Sequence, residues 1–252
     1  SNDAPTNYLL PAWDNITGQM SAVALLAADR FRRINGQGQL VKVALKDVAV
    51  ATASNLGNIS EVTINNEDRQ KAGNYLYGAF GRDFVSKDGV RVMIVGLTPR
   101  QWKGIVESMG IAGQMSSLET ELGFSLSREG ERFKARDKIA ALIEPWFATK
   151  VYSEICPLFD EHAVCYGPYR TFREMVESDD DCSVDNPMMG TVTQPNIGEY
   201  LASGSPIRFV DDNLETLPAP TLGQHTEQIL KEELSLSDGE VGRLKSQGIV
   251  DW

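Results

Sequence analysis

The sequence predicts a mixed α/β chain, and three patterns carry that prediction. From Ile16, apolar residues fall at positions 16, 20, 23, 24, 27, 31 and 34, the spacing of one helix face. Directly after it, "LVKVAL" (40–45) alternates with Leu40, Lys42 and Ala44 on one side, as a strand does. Further on, "YLYGAFGRDFVSKDGVRVMIVGL" (75–97) has the form of two strands joined by a Lys-Asp-Gly turn.

Taken in order, the first helix has Leu25, Leu26 and Ala28 on its other side, so it is apolar nearly all round and is expected to be buried. Arg30, Arg32 and Arg33 load its last turn, where positive charge suits the helix dipole. Gly36 in "NGQG" (35–38) suits a left-handed cap. "KDVAVATASNLGNISEV" (46–62) is again helical, and "NNEDRQKAGN" (65–74) is polar enough for a linker. Pro99 opens a helix through "RQWKGIVESMG" (100–110), with Gly110 at its exit. Helices follow at "REGERFKARDKIAALIEPWFAT" (128–149), "VYSEICPLFDEH" (151–162) and "TFREMVES" (171–178), with a short strand at "AVCYGPY" (163–169). The acidic "ESDDDCSVDNP" (177–187) suggests a second linker. Beyond it, "MGTVTQPNIGEYLASGSPIRFV" (189–210) suggests two short strands, and two helices end the chain. Ser237 followed by Glu240 is a capping box for the last of them.

Composition narrows the function. The 252 residues carry a formal net charge of −11, which argues against nucleic-acid and anionic-membrane partners, since both need a basic face. The longest apolar run is cut off by "DRFRR" well short of the roughly 18 residues a membrane span needs. "SNDAPTNYLL" has neither the basic nor the apolar region of a signal peptide. Cys156, Cys165 and Cys182 lack metal-ligand spacing and suit reduced thiols, so a cytoplasmic location is expected. With His162 and His225 far apart, no metal site and no His-based triad is expected.

One carboxylate stands out. Asp14, in "LLPAWDNITGQM" (9–20), precedes the first apolar helix. An Asp there is a favoured N-cap, worth about 0.5–2 kcal/mol over Ala. The same place also suits a nucleophile or proton carrier, with Trp13 and the apolar helix supplying desolvation and the helix N-terminus favouring the anion. Spacing alone does not separate the two readings.

A resemblance bears on the choice. "PAWDNITGQMSAVALLAADRFRRINGQGQLVKVALKDVA" (11–49) resembles the class III CoA-transferase (CaiB/BaiF) family, where an Asp heads a small-residue helix ending in a basic, Gly-containing turn. "LPAPTLGQHTEQILKEELSLSDGEVGRLKSQGIV" (217–250) is similar to that family's C-terminal signature. The blocks around 75–102 and 166–188 are closest to the branch that moves CoA within one dicarboxylic acyl-CoA. The likeness covers nearly the whole chain but only the later part of the family's length, so a C-terminal portion is expected.

The resemblance implies a partial Rossmann-like large domain plus a smaller α+β domain, in an interlocked homodimer. On that frame residues 1–65 end the first large-domain segment, 66–75 are a linker, 76–180 form the small domain and 181–252 return to the large one. It implies Asp14 as the covalent nucleophile, acting through an aspartyl–acyl anhydride and an aspartyl–CoA thioester. Coenzyme A enters as part of the substrate, with no permanently bound cofactor, and a dicarboxylate is the partner acid. The segment 73–84, with Gly73, Gly78 and Gly81, falls where transferases place a glycine-rich loop over the active site, so Tyr77 and Gly78 become substrate-binding candidates. Arg82 and Arg170 are candidates for pairing with the free carboxylate, beside the bland reading of solvated or structural arginines. Arg30, Arg32, Arg33, Lys42 and Lys46 face either solvent or CoA phosphates.

Two other functions stand beside transfer. The family's racemases use the matched Asp as a proton carrier with a Glu before the helix-opening Pro, and here Thr98 holds that place. The other alternative is an inactive chain that folds and dimerises without turnover.

Overall fold

A computed structural model describes residues 9–210 and 216–252, so the opening eight residues, part of the segment read as lacking a leader, lie outside it. The chain divides into two compact units, one ending at Tyr75 and one beginning at Leu76.

The first unit is helical. α1 (Ala12–Asn35) ends at Gly36, whose φ of 71° lets its N–H reach Arg32 O at 2.8 Å. α2 (Leu45–Asn55) packs on α1, and α3 (Asn58–Ser60) runs into a π-helical turn over Glu61–Asn65. Two expectations fail here. No residue of α1 is buried, and Leu25 and Leu26 are each 70% exposed. A helix apolar all round needs neighbours on every side to bury it, and α2 covers only one. Nor is "LVKVAL" a strand: residues 37–44 run extended beside α1, across a groove of about 390 Å³ lined by Ala24, Leu25, Ala28, Val41 and Val43. A strand exists through a hydrogen-bonded neighbour, and among the described residues of this unit no other strand offers one.

The second unit is built on β1 (Phe80–Val85), β2 (Arg91–Gly96) and β3 (Cys165–Pro168), an antiparallel sheet in that order with Phe84 opposite Val92 and Val92 opposite Pro168. Alternation puts Phe80, Phe84, Val92 and Ile94 on one face, where all four are buried. Six helices lie between or after these strands: α4 (Pro99–Met109), α5 (Ala112–Leu122), α6 (Glu129–Lys134), α7 (Arg136–Thr149), α8 (Tyr152–Glu161) and α9 (Phe172–Ser178). α7 stacks Phe147 on Phe84 with ring centroids 5.0 Å apart, and Phe159 of α8 meets Trp146 and Tyr166 at 5.6 and 5.1 Å. α4 closes on the end of α8 so tightly that a Cβ at Gly104 would lie 2.4 Å from the His162 carbonyl, so only glycine fits.

The sequence reading omits α5, and residues 128–149 are two helices broken at Ala135, not one. Beyond a 3₁₀ turn at Asp180–Cys182, the hairpin β4 (Met189–Gln194) and β5 (Gly198–Ser203) forms as expected. The Gln194 amide grips the Ala219 backbone twice, donating to its carbonyl at 2.9 Å and accepting from its N–H at 2.8 Å. α10 (Thr226–Glu232) and α11 (Asp238–Ser246) end the chain, the latter with the Ser237–Glu240 capping box in place.

Because Phe147 is fully buried among Phe84, Trp146 and Phe159, Phe147→Ala is expected to cost about 3–5 kcal/mol. Urea denaturation followed by tryptophan fluorescence measures it, and a loss below 1 kcal/mol by that route contradicts the packing described.

Candidate functional site

Asp14 is the third residue of α1, within its first turn rather than at its cap. The cap position belongs to Pro11, and no side chain bonds to the exposed first-turn N–H groups. The N-cap reading of Asp14 is therefore wrong: Ala12 and Trp13 already have helical dihedrals, so the helix starts before it. The Asp14 carboxylate is exposed and makes no hydrogen bond or ion pair among the described residues. Trp13 is 42% exposed, so neither it nor the flank of α1 desolvates the acid as expected. What the position does provide is the first turn of a 24-residue helix, where unpaired N–H groups favour negative charge. At the other end of α1, Arg32 and Arg33 are held on Asp29 at 2.7 and 2.6 Å.

Tyr77, Gly78, Arg82 and Arg170 stand in the second unit, and the structure separates them. Tyr77 meets Phe133 of α6 edge-on, centroids 5.1 Å apart, which ties the loop before β1 to α6. Gly78, at φ 82°, follows it in a backbone conformation that other residues adopt only under strain. Gly78, Pro99 and residues 127–132 line one pocket of about 470 Å³. Arg82 and Arg170 are not among its lining residues. Arg82 lies on β1 with its guanidinium 5.4 Å from the Phe84 ring centre. Arg170 is ion-paired to Asp179 and its electrostatics reach Glu174 and Tyr152. As a pair for a free carboxylate, Arg170 is already occupied.

Thr98 caps α4: its hydroxyl accepts from Gln101 N–H at 3.2 Å while the Gln101 amide oxygen accepts from Thr98 N–H at 3.0 Å. The place that a racemase fills with a carboxylate here holds a structural cap. His225 occupies the cap position of α10, but its side chain makes no cap bond.

The residue the sequence reading missed is Arg128. It lines the pocket with Gly78, is exposed, and its side chain has no partner among the described residues. Nothing in "SREGERFK" marks it, since it stands beside Glu129 and resembles any solvated charge pair. No group of metal-ligating side chains occurs among the described residues, nor any helix long and apolar enough to cross a membrane.

A polar cluster lies near Arg170. The Tyr166 hydroxyl donates to Asp160 Oδ1 at 2.9 Å, and Tyr152 faces Cys156 on the same helix. Burial, then the hydrogen bond with Cys156, pushes Tyr152 up to about 12, against the opposing pull of Arg170. Burial and the Cys156 and Asp160 bonds raise Tyr166 as well.

The model of the CoA-transferase family III matches residues 1–226. The chain belongs to that family. A 2-methylfumaryl-CoA isomerase of Chloroflexus aurantiacus is 54% identical over 97% of this chain and 60% of its own length. A formyl-CoA:oxalate CoA-transferase of Streptomyces coelicolor is 28% identical over 94% of this chain and 59% of its own. The chain thus spans about 60% of the curated relatives it matches. Among solved structures, a CaiB/BaiF family protein from Brucella suis superposes with a TM-score of 0.65 at 21% identity, covering 92% of this chain and 57% of that one. A hypothetical protein of Mycobacterium tuberculosis gives 0.66 at 21% identity, over 89% and 56%. These structures share the fold, a mixed α/β arrangement of this family.

The raised tyrosine predicts an alkaline limit. A free tyrosine ionises near 10.0 and folded Tyr152 near 12, so between them the unfolded chain has lost a proton that the folded one keeps. The stability linked to this group is intact below pH 10 and lost as pH rises towards 12. Tyr152→Phe is expected to flatten that part of the decline in unfolding free energy. An unchanged slope in urea titrations across the window contradicts it.

Proposed function

We propose that this chain carries the nucleophile of a CoA-transferase working within a short dicarboxylic acyl-CoA. Asp14 is the residue that does it. The observation that carries the reading is an exposed carboxylate in the first turn of α1, without a capping bond or ion pair among the described residues, within a sequence 54% identical to a 2-methylfumaryl-CoA isomerase.

The steps follow from carboxylate and thioester chemistry. An Asp14 oxygen attacks the thioester carbonyl, the C–S bond breaks, and the CoA thiolate leaves a mixed anhydride on Asp14. The thiolate attacks the aspartyl carbonyl, which frees the substrate carboxylate and leaves CoA as a thioester on Asp14. The other carboxylate of the same diacid attacks that thioester, and the thiolate returns to the new anhydride on its substrate carbonyl. Asp14 is regenerated as the carboxylate, no redox change occurs, and the net result is an isomeric acyl-CoA.

Gly78 belongs to this proposal through the pocket it lines and Tyr77 through its contact with Phe133 of α6, whereas the paired Arg170 argues against itself as the acid's anchor. A racemase is not favoured, because Thr98 supplies a cap and no acid. A homodimer acting on soluble acyl-CoA in the cytoplasm completes the reading, and sedimentation of the purified chain measures its mass.

The covalent step is tested by trapping. With 2-methylfumaryl-CoA and hydroxylamine, peptide mapping is expected to find a hydroxamate on Asp14, absent without the thioester and absent in Asp14→Asn. If a full-length relative is modified at its matching Asp and this chain is not, the chain is inactive alone. If neither is modified, the transferase reading fails.

A further inference from the structure

We infer that the pocket beneath Gly78 is a carboxylate subsite, with the Arg128 guanidinium as its anchor, and that it takes the free end of a short dicarboxylate. The identity of the occupant rests on the proposed function; the subsite itself rests on geometry. The pocket holds about 470 Å³, room for a four- or five-carbon diacid with water. Gly78 forms part of its wall, and a Cβ there would meet no other atom within 4 Å, so the wall is open at that point.

The charges favour an anion. Arg128 is exposed and unpaired among the described residues, so its planar fork is free for a bidentate carboxylate contact. Arg132 lines the same pocket, is fully buried, and keeps its Nε without an acceptor among the described residues. Two carboxylates also line it. Glu131 is paired with Lys134 at 3.0 Å, outside the lining, which leaves Glu129 as the acid to set against Arg128.

The loop carrying Gly78 is held in place independently of any ligand, by the Tyr77–Phe133 contact and by Leu76 N–H donating to Gly81 O at 2.8 Å. Arg82 and Arg170 offer no equivalent site: the first lies over Phe84 and the second is taken by Asp179.

The test uses the ¹⁵N-labelled chain and free 2-methylfumarate, read by two-dimensional NMR. The expected result is a saturable shift of the Gly78 amide and of amides 127–132. Arg128→Gln should weaken it about tenfold or more, the loss of one charge-assisted pair, and Arg128→Lys should restore part of it. Arg128 has no partner among the described residues whose loss would disturb the fold, and unchanged signals elsewhere in the spectrum check this. Shifts that are absent, that survive Arg128→Gln, or that acetate at equal ionic strength reproduces with equal affinity overturn the subsite. Trapping at Asp14 is scored separately. A hydroxamate there with no shift at Gly78 sinks the subsite alone, and a shift with no hydroxamate keeps the subsite while the nucleophile reading falls.

Discussion

The second unit depends on one buried charge. Arg132 is fully buried, and a guanidinium in that position costs several kcal/mol unless its donors are met. Here Nη1 donates to the Leu126 and Ser127 carbonyls at 2.9 and 2.8 Å, and Nη2 to those of Gly96 and Leu97 at 3.2 and 2.7 Å. The Trp102 ring lies 5.4 Å away and accepts part of the charge on its face. Burial lowers the proton affinity of the group, yet the four carbonyls are arranged for the cation. One side chain thus fixes the end of β2, the residues leading into α6 and the underside of α4. Of these, the 127–132 segment forms most of the pocket wall and α4 adds Pro99. Remove Arg132 and the carbonyls of Gly96, Leu97, Leu126 and Ser127 lose this donor, those of Gly96 and Leu126 in the buried interior.

Fixing the wall has a chemical use. Pro99 follows Leu97 by two residues, with Thr98 spent on the cap of α4, so the strand-to-helix turn is held both by Arg132 and by its own capping box. Ser127 and the backbone up to Glu131 are held from the other side. A subsite that orients one end of a diacid needs its walls fixed to within a fraction of an ångström, because reaction between the two ends of one small molecule is decided by orientation. Rigid walls with one free guanidinium suit that task better than a loop arginine already bonded to an aspartate.

Much of the fold was legible because local rules and tertiary packing agreed. The hairpin from Phe80 to Gly96 alternates so that its apolar face is also its buried face, and Thr98, Thr171 and Ser237 all cap the helices that follow them. Legibility failed where neighbours decide. α1 is apolar on several sides, a pattern that counts neighbours it does not have within its own unit, and "LVKVAL" has strand alternation without a strand to pair. The helix break in 128–149 falls at Ala135, which is no breaking residue, while Pro145 is accommodated inside α7. Within the candidate site, sequence cannot say which arginine is free. Arg170 finds Asp179 nine residues away, while Arg128, flanked by an acid, stays unpaired among the described residues.

Asp14 shows how far position alone carries chemistry. A carboxylate in the first turn of a helix sits where unpaired N–H groups favour negative charge, and that placement alone does not make it attack a thioester. Reactivity must then come from proximity to the thioester and from loss of water around the acid. The described first unit supplies neither, since Asp14, Trp13 and the flank of α1 stand open to solvent. A mixed anhydride formed there is open to water as well as to thiolate, and transfer outruns hydrolysis only if the thiolate stays beside the acyl group. The demand therefore falls on how the two halves of the substrate are held. On the proposed reading Asp14 initiates the exchange from an exposed turn, and only a held diacid and a retained thiolate would turn that attack into isomerisation instead of thioester hydrolysis.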